Sequence, residues 1–371
     1  MKILIDAHIF DGKFQGSRTY IKGIYSEMIQ IKKDWEFYFV GIEVDNIKNV
    51  FGIYENTNYL QFKFKSKYIR LLIELPYLIY KHKIDYSHFQ YISPIFKSGK
   101  YIVTIHDILF EEKRFRSFFS SKYRLLNSIL FKRTAVFADI LLTVSEYSRS
   151  KISEIYKIKK DTIFITPNAI NVTNEDSKKD DYIISKYNCK KFILYVSRIE
   201  PRKNHISILR AYLNLKLYNK EYQIVFIGDQ DIYDEKLMSF IKENNTFFDK
   251  TLHFFSNVSD FDLKKFIVNS DIVVYPSFAE GFGIPPLEAA IYKKKVICSS
   301  STAMAEYIFF KYLIDPYNQN EIEKAISRAI NDDDDDNLIE IQKIILDTYN
   351  WRNSAQVLID LIEKNSSMVI S

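Results

Sequence analysis

The chain has 371 residues, of which 47% are hydrophobic and 27% charged, and its formal net charge is +5. This length is comfortable for two domains of a soluble protein, and so mild a charge is no nucleic-acid footprint by itself. Because no signal peptide and no long uncharged apolar run is visible, the sequence predicts a cytoplasmic protein.

The first half, residues 1–171, is predicted to form one domain. Strands are predicted at residues 2–6, 37–40, 59–64, 86–89, 101–105, 139–144 and 162–166, and helical segments at residues 19–30 and 68–81. This alternation is typical of a mostly parallel sheet. The loop after the first strand contains Gly16 and Arg18, and the Arg18 guanidinium either pairs with a phosphate or lies at the surface.

His106 and Asp107 follow the predicted strand at residues 101–105. Open parallel sheets bind ligands beyond the carboxyl ends of their strands, and the other five histidines form no comparable pair with an aspartate. An isolated histidine is more often structural. His106, however, lies at a strand end, and this position makes it a candidate site residue.

Residues 113–133 contain seven Lys or Arg residues and no acid, mixed with large apolar side chains. A basic amphipathic helix of this kind can lie on an anionic bilayer, at the inner face of the plasma membrane. The alternative is an ordinary domain helix with a solvated basic face. The sequence leaves both open.

A polar stretch without apolar periodicity, residues 171–182, marks the predicted domain boundary. The second domain is predicted over residues 172–350, with strands at residues 192–196, 222–227, 251–255, 272–275 and 295–299. The acidic run at residues 332–336 is predicted to be a solvated connector, and a final helix is predicted near residues 351–364.

A basic loop follows the strand at residues 192–196. It contains Ser197, Arg198 and Lys203, and a helix is predicted to begin near Asn204. Cations at a strand end, just before a helix N-terminus, suit a diphosphate. The alternative is that these side chains are merely solvated.

Two glutamates frame the next turn. Glu280 stands in the loop after the strand at residues 272–275, and two prolines then suit the first positions of a helix that would hold Glu288 in its first turn. The N–H groups of that helix end suit a phosphate, whereas carboxylates would repel it and instead suit hydroxyl groups, such as those of a ribose or a sugar. Alternatively, Glu288 only complements the helix dipole and Glu280 is solvated.

Glu280 and Glu288, with Gly281-Phe282-Gly283 between them, resemble the signature of retaining glycosyltransferases of the group 1 type. The resemblance covers residues 16–364 and is more specific in the second half. It implies the α/β GT-B fold, with two Rossmann-like parallel-sheet domains facing a cleft. The second domain would hold mainly a nucleotide-sugar donor and the first mainly the acceptor, and the C-terminal helix, within residues 351–371, would pack back on the first domain.

The resemblance also implies roles for individual residues. Arg198 and Lys203 would hold the donor phosphates, Glu280 and His106 would contact the sugar, and Glu288 would hold the ribose. The further donor-binding residues that it implies are Gly16, Arg18, Asp107, Ser197, Gly228, Gly281, Phe282, Gly283 and Ile284. Ser197 and Arg18 each stand where the family usually has a glycine.

The sequence therefore predicts a retaining hexosyltransferase that needs neither a metal nor a cofactor. The first candidate for its donor is GDP-mannose, and the second is a UDP-hexose. Its acceptor is predicted to be a hydroxyl of a growing surface glycan, such as lipopolysaccharide, or of a lipid-linked oligosaccharide. The alternatives are an epimerase or a phosphorylase of the same fold, or a non-catalytic nucleotide- or glycan-binding module. Nucleic acid is not an expected partner, because no basic-aromatic strand platform or helix-turn-helix pattern is present.

Overall fold

The computed structural model describes residues 1–12, 16–170, 179–230, 232–332 and 335–367. The chain divides into two compact units, unit one comprising Met1–Ala169 and Tyr349–Ser371 and unit two comprising Ile170–Thr348. Most of the predicted boundary segment, residues 171–178, lies outside the described residues, as do residues 333 and 334 of the acidic run.

The strands of the described residues are β1 (Lys2–Asp6), β2 (Glu36–Gly41), β3 (Thr57–Gln61), β4 (Tyr86–Gln90), β5 (Lys100–Thr104), β6 (Ile140–Thr143), β7 (Ile163–Ile165), β8 (Phe192–Val196), β9 (Gln223–Ile227), β10 (Leu252–Phe255), β11 (Ile272–Tyr275), β12 (Lys295–Ser299) and β13 (Tyr312–Ile314).

The helices are α1 (Gly16–Ile31), α2 (Val44–Phe51), α3 (Lys67–Ile69), α4 (Leu75–His82), α5 (Ser121–Phe137), α6 (Glu146–Tyr156), α7 (Tyr182–Tyr187), α8 (His205–Asn214), α9 (Glu235–Glu243), α10 (Asn245–Phe248), α11 (Asp260–Asn269), α12 (Ile284–Ile291), α13 (Gln319–Asn331), α14 (Asp335–Thr348) and α15 (Trp351–Ser367). A π-helical turn over Arg70–Glu74 joins α3 to α4. Among the 3-10 turns, three matter for the site: His8–Phe10, Leu109–Glu111 and Pro201–Lys203.

Unit one is built on a seven-stranded parallel sheet with the order β3-β2-β1-β4-β5-β6-β7. A parallel sheet covered on both faces needs apolar strands, and Ile3, Leu4 and Ile5 of the central strand β1 are fully buried. Helix α15, although last in the chain, belongs to this unit and packs against α1.

Unit two contains a six-stranded parallel sheet with the order β10-β9-β8-β11-β12-β13. The chain runs from β8 outward to β10 on one side and then from β11 outward to β13 on the other. Strands β8 and β11 are therefore neighbours at the point where the strand order reverses, which is where open α/β sheets bind ligands.

The structure corrects several sequence expectations. Helix α1 begins at Gly16, not near residue 19, so Gly16 and Arg18 lie in its first turn and not in a loop. Helix α12 begins directly after Gly283, whose left-handed backbone starts it early, and Glu288 is consequently in the second turn. Strand β3 ends at Gln61, where its pairing with β2 ends, and not at residue 64.

Two further features were not anticipated. Strand β13 was not predicted, since it has only three residues and is an edge strand that pairs with β12 alone. Asp332, the first residue of the acidic run, is not simply solvated, because its carboxylate lies 2.6 Å from the Lys311 ammonium. None of the described helices combines the length and the apolar composition that a membrane span requires.

Candidate active site

The site in unit two begins with the loop that leaves β8. Asn204 ends its 3-10 turn in the left-handed conformation (φ 59°), which asparagine tolerates better than most residues. The buried Asn204 amide donates hydrogen bonds to the carbonyls of Pro276 (3.2 Å) and Pro316 (3.0 Å), beyond the ends of β11 and β13. The Tyr195 hydroxyl also donates to the carbonyl of Lys203 at 2.8 Å. The basic loop is therefore fixed to its neighbours by buried polar contacts.

The loop that leaves β11 brings Glu280 into contact with this basic loop. Lys203 Nζ lies 2.6 Å from Glu280 Oε1, and the Arg202 guanidinium lies 3.3 Å from Glu280 Oε2. Arg202 also donates to Glu200 at 2.6 Å and to the carbonyl of Ala279. Arg202, Lys203 and Glu280 are largely shielded from solvent, so these ion pairs are weakly screened.

The charges in this cluster decide which groups are ionised. Burial alone would raise the pKa of Glu280, but the charges of Lys203 and Arg202 lower it to about 2. Burial has the opposite effect on Lys203, whose pKa it lowers. Because the two opposite charges are 2.6 Å apart, both groups stay ionised near neutral pH. Among the described residues, the cations Arg198, Arg202 and Lys203 lie beside the carboxylates of Glu200 and Glu280.

The Gly-Phe-Gly turn after Glu280 is held by the loop that follows β12. The Glu280 N–H donates to Thr302 Oγ1 at 2.8 Å, and the Tyr307 hydroxyl donates to the Phe282 carbonyl at 2.8 Å. Gly283 has φ 95°, and a Cβ there would lie 2.9 Å from the Met304 side chain, so a glycine is required. Gly281 and Phe282 complete the turn, and Phe282 is buried.

Helix α12 supplies fewer N–H groups than the sequence suggested. Pro285 and Pro286 occupy its second and third positions and have no N–H, so Ile284 and Leu287 are the donors of the first four residues.

Glu288, on α12, has an unusual ionisation. Burial and the charge of Asp260 raise its pKa to about 7. Its carboxyl makes no hydrogen bond with the described residues, although it is partly accessible. A carboxylate of this kind can accept hydrogen bonds from a ligand.

Gly228 and Ser197 meet where β8 and β9 end. A Cβ on Gly228 would lie 2.1 Å from the Ser197 carbonyl oxygen, so this glycine lets the two strand ends approach. Arg198 follows Ser197, and its side chain is 54% exposed, with the guanidinium 4.0 Å from Glu200. Arg198 is therefore the most accessible cation of the cluster.

Unit one contains the other predicted residues. His106 is 8% exposed beyond β5, with its ring 5.0 Å from that of Tyr20 on α1, and its Nε2 lies 2.6 Å from Gln90 Oε1. Burial lowers the pKa of His106 to about 3, so the imidazole is neutral at physiological pH. The Asp107 carboxylate accepts a hydrogen bond from the Leu109 N–H at 3.2 Å, at the start of a 3-10 turn.

Gly16 and Arg18 lie at the start of α1, within the same unit. A Cβ on Gly16 would meet no atom within 4 Å. The Arg18 guanidinium lies over the Phe10 ring, 5.0 Å from its centre. Arg18 thus contacts the turn that follows β1.

Sequence reasoning assigned no role to three residues of these clusters. Arg202 was seen only as part of a basic loop, and Glu200 was not considered, although both contact the Glu280 group. Gln90 was also missed. A buried polar side chain as the last residue of a central strand would have been its only sequence signal.

Two family models match the chain. Residues 176–365, about half of its length, match the model described as glycosyl transferases group 1. Residues 42–174 match the model of glycosyltransferase family 4.

Two relatives resemble parts of the chain. O-antigen chain mannosyltransferase B of Escherichia coli is 28% identical over 274 residues, which cover 67% of this chain and 67% of that protein. N-acetylgalactosamine-N,N'-diacetylbacillosaminyl-diphospho-undecaprenol 4-alpha-N-acetylgalactosaminyltransferase of Campylobacter jejuni is 27% identical over 213 residues. The second match covers 56% of this chain and only 55% of the relative.

Solved structures show the fold. The structure of Anabaena HepE in complex with UDP-glucose matches with a TM-score of 0.71 and 16% identity, over 99% of this chain and 100% of that one. The two parallel-sheet units thus have the GT-B architecture that the sequence predicted. Since a single family model accounts for half of the residues, including the whole Glu280 cluster, the chain belongs to the group 1 glycosyltransferases.

Proposed function

We propose that this glycosyltransferase is a retaining hexosyltransferase that works without a bound metal. GDP-mannose is the first candidate for its donor, and a UDP-hexose is the second. Its acceptor is a hydroxyl of a growing surface glycan or of a lipid-linked oligosaccharide. One observation carries the proposal: the Arg202 and Lys203 cations lie beside Glu280, where β8 and β11 end. A departing diphosphate needs positive charge at such a place.

The relatives support the choice of substrates. The name of the Escherichia coli relative supports mannose, and the UDP-glucose in the HepE structure supports a uridine-linked alternative. The name of the Campylobacter jejuni relative supports an acceptor on a lipid diphosphate.

In the proposed reaction, the bond between the anomeric carbon and the diphosphate oxygen breaks, and the diphosphate keeps the electron pair. Arg198 and Lys203 stabilise the leaving diphosphate. Glu280 accepts hydrogen bonds from sugar hydroxyls, and its negative charge stabilises the positive charge that develops on the sugar. Glu288 holds the ribose hydroxyls, and His106 contacts the sugar.

The acceptor oxygen bonds to the anomeric carbon from the same side of the sugar ring as the departing diphosphate. The acceptor proton passes to a phosphate oxygen of the leaving group, so no protein base is required. This route retains the anomeric configuration. NMR of the product with an α-linked donor should therefore show an α-linkage, and a β-linked product would overturn the retaining mechanism.

Metal independence has its own test. Because Arg198 and Lys203 supply the positive charge, turnover should be the same with and without EDTA. A loss of turnover in EDTA that Mg²⁺ or Mn²⁺ restores would contradict the proposal.

A panel of nucleotide sugars would identify the donor. A ligand at about 100 times its dissociation constant adds about 2.7 kcal/mol of apparent stability, which raises the melting temperature measurably. GDP-mannose should give the largest shift. A larger shift with a uridine-linked sugar would reassign the donor and leave the reaction class unchanged.

The same assays separate the alternatives. An epimerase would convert the nucleotide sugar without an acceptor, and a phosphorylase would require inorganic phosphate. A non-catalytic module would show the melting shift without any product.

We also propose that one surface of unit one makes peripheral contact with an anionic membrane, at the inner face of the plasma membrane. Leu125, on α5, is 70% exposed, and Tyr80, on α4, is 83% exposed. The other large apolar side chains exposed on α3, the π-helical turn, α4, α5 and the loop between β4 and β5 are Tyr68, Leu72, Ile73, Tyr77, Ile95, Phe96, Tyr123, Leu126, Ile129, Val136 and Phe137. We call this set the apolar face.

The apolar face lies on one side of the seven-stranded sheet. Ile79 of α4 and Phe131 of α5 belong to one hydrophobic cluster on that side. Lys97, in the loop between β4 and β5, donates to the carbonyl of Phe137 at 3.1 Å, which joins this loop to the end of α5. The segments therefore form one surface.

Exposed bases accompany the apolar face, namely Lys63, Lys65, Lys67, Lys81, Lys83, Lys113, Arg116, Lys122 and Lys132. Apolar side chains among cations fit an anionic bilayer, in which each base near the surface contributes about 1 kcal/mol.

Vesicle sedimentation tests this contact. The protein should bind vesicles that contain phosphatidylglycerol and should not bind pure phosphatidylcholine, and Leu125→Ser with Ile129→Ser should weaken binding. The control is Ile308→Ser in unit two, which removes an equally exposed apolar side chain (82%) outside the apolar face. Absence of binding would mean that the basic face is merely solvated.

A further inference from the structure

His106 belongs to a buried chain of polar side chains inside unit one. Its Nε2 lies 2.6 Å from Gln90 Oε1, and the Gln90 amide nitrogen lies 3.3 Å from His88 Nε2. His88 Nδ1 lies 2.8 Å from the hydroxyl of Tyr25, on α1. Gln90, His88 and Tyr25 are all buried, so water does not compete for these contacts.

The number of protons in this chain is restricted. Burial lowers the pKa of His106 to about 3, and burial together with the nearby His106 lowers the pKa of His88 to about 3. Each imidazole is thus neutral near pH 7 and carries one proton on one of its two nitrogens.

The amide of Gln90 then decides where the His106 proton is. An amide oxygen can only accept, so His106 must carry its proton on Nε2. The neighbours of His88 Nε2 favour different tautomers, because the Gln90 amide nitrogen at 3.3 Å can only donate, whereas the Thr104 hydroxyl at 2.8 Å donates its proton to Tyr20 and can only accept here. The amide of Gln90 therefore fixes the tautomer of His106 and not that of His88.

The free nitrogen of His106 is Nδ1. It has no hydrogen-bond partner among the described residues, and it is not fully buried. The rings of Tyr20 and Tyr91 lie 5.0 and 5.3 Å from the imidazole and restrict its orientation. A lone pair at Nδ1 can accept a hydroxyl proton, and its negative potential favours positive charge on a nearby sugar. An N–H at the same place would oppose that charge.

We propose that Gln90 is a positioning residue that fixes the Nε2–H tautomer of His106, so that Nδ1 is a neutral acceptor for a hydroxyl of the bound sugar. Only the identity of the ligand rests on the proposed function. The tautomer is a property of the free protein and can be measured without any donor.

NMR of the full chain labelled with ¹⁵N-histidine measures the tautomer directly, because long-range proton–nitrogen spectra distinguish protonated from unprotonated ring nitrogens. His106→Asn and His88→Asn assign the two rings. We expect a protonated Nε2 and an unprotonated Nδ1 on His106. A protonated Nδ1 on His106 in the unaltered protein overturns the proposal.

Gln90→Leu keeps the size of the side chain and removes the amide. The His106 signals should then become an average of both tautomers, and kcat should fall roughly tenfold while KM for the donor changes less than about twofold, since one hydrogen bond is removed. An unchanged tautomer together with an unchanged kcat would show that Gln90 has no such role.

Ser87→Ala is the matched control, because Ser87 is a buried polar residue of the same strand whose hydroxyl has no partner in the described residues. It should change neither the spectrum nor kcat, and an equal loss of kcat in this variant would assign the effect to packing and defeat the proposal. If Gln90→Leu does not fold, the tautomer of His106 in the unaltered protein still decides the proposal. If the unaltered protein transfers no sugar at all, the proposed function fails, whereas the NMR result still decides the tautomer.

Discussion

At the scale of single residues, Glu280 shows how an ionised acid can lie beside the cations of a proposed phosphate site. An isolated buried carboxylate would be protonated, yet Lys203 and Arg202 keep this one ionised. Arg202 contacts both Glu280 and Glu200. If Lys203 turned toward a diphosphate, Arg202 would still neutralise Glu280.

Lys203→Ala should lower kcat about 100- to 1,000-fold, because a preorganised charge that stabilises the leaving group is lost. The measurement is steady-state transfer with the identified donor, with circular dichroism to show that the fold is intact. Lys190→Ala, at an exposed lysine before β8, should leave kcat unchanged. Near-normal turnover of Lys203→Ala would remove this lysine from the mechanism, and the same criterion applies to Glu280→Ala.

Glu288 should make donor binding depend on pH. Its pKa of about 7 is raised above the ordinary value, so the acid form predominates at pH 6 and the carboxylate at pH 8. If only the carboxylate accepts ribose hydroxyls, donor affinity should rise about tenfold between pH 6 and pH 8. The same raised pKa makes folding less favourable as the pH rises from 4.5 to 7.

Calorimetric titration of the nucleotide sugar without acceptor tests this dependence, since its diphosphate has no proton to lose near pH 7. Glu288→Gln should bind more weakly and with the same affinity at both pH values. A pH dependence that persists in Glu288→Gln would assign it to another group.

At the scale of elements, the close approach of α1 and α15 depends on one glycine. A Cβ at Gly23 of α1 would lie 2.1 Å from the Trp351 ring at the start of α15. The last helix of the chain therefore packs on the first because a side chain is missing there.

Gly23→Ala should reduce the free energy of unfolding by about 1–3 kcal/mol, the usual cost of overpacking, even though alanine favours helices. Denaturant titration measures this difference. Gly12→Ala is the control, because a Cβ at Gly12 would meet no atom within 4 Å. Equal stability of the Gly23→Ala and Gly12→Ala proteins would mean that the two helices can separate at no cost.

At the scale of the whole molecule, the Glu280 cluster is formed within unit two. The loops after β8 and β11 are distant in sequence, and Arg202 and Glu280 are 78 residues apart. They meet because β8 and β11 are neighbours at the reversal of strand order.

Binding of a nucleoside diphosphate should therefore protect particular amides from hydrogen exchange. Slower exchange is expected at residues 197–204 and 276–288, with little change in the strands, which exchange slowly already. Mass spectrometry with and without GDP or UDP measures this. Protection confined to unit one would place the nucleotide elsewhere and contradict the assignment of Arg198 and Lys203.

The sequence by itself determined much of the fold. Short β-branched and aromatic runs predicted strands such as β8 and β11 with their observed bounds, because fully buried parallel strands need continuous apolar residues. The segment from Glu280 to Glu288 resembles the signature of the family, and the family model confirmed this resemblance.

Only the tertiary structure decided which side chains meet. The pairing of Arg202 with Glu280 and of Gln90 with His106 depends on which strands are adjacent and how far each extends, and local sequence carries no such information. The same holds for ionisation, because burial and distant charges set the pKa of Glu280 and Glu288 in opposite directions. Apolar periodicity is a local property of the chain, whereas charge compensation arises only when remote segments are packed together.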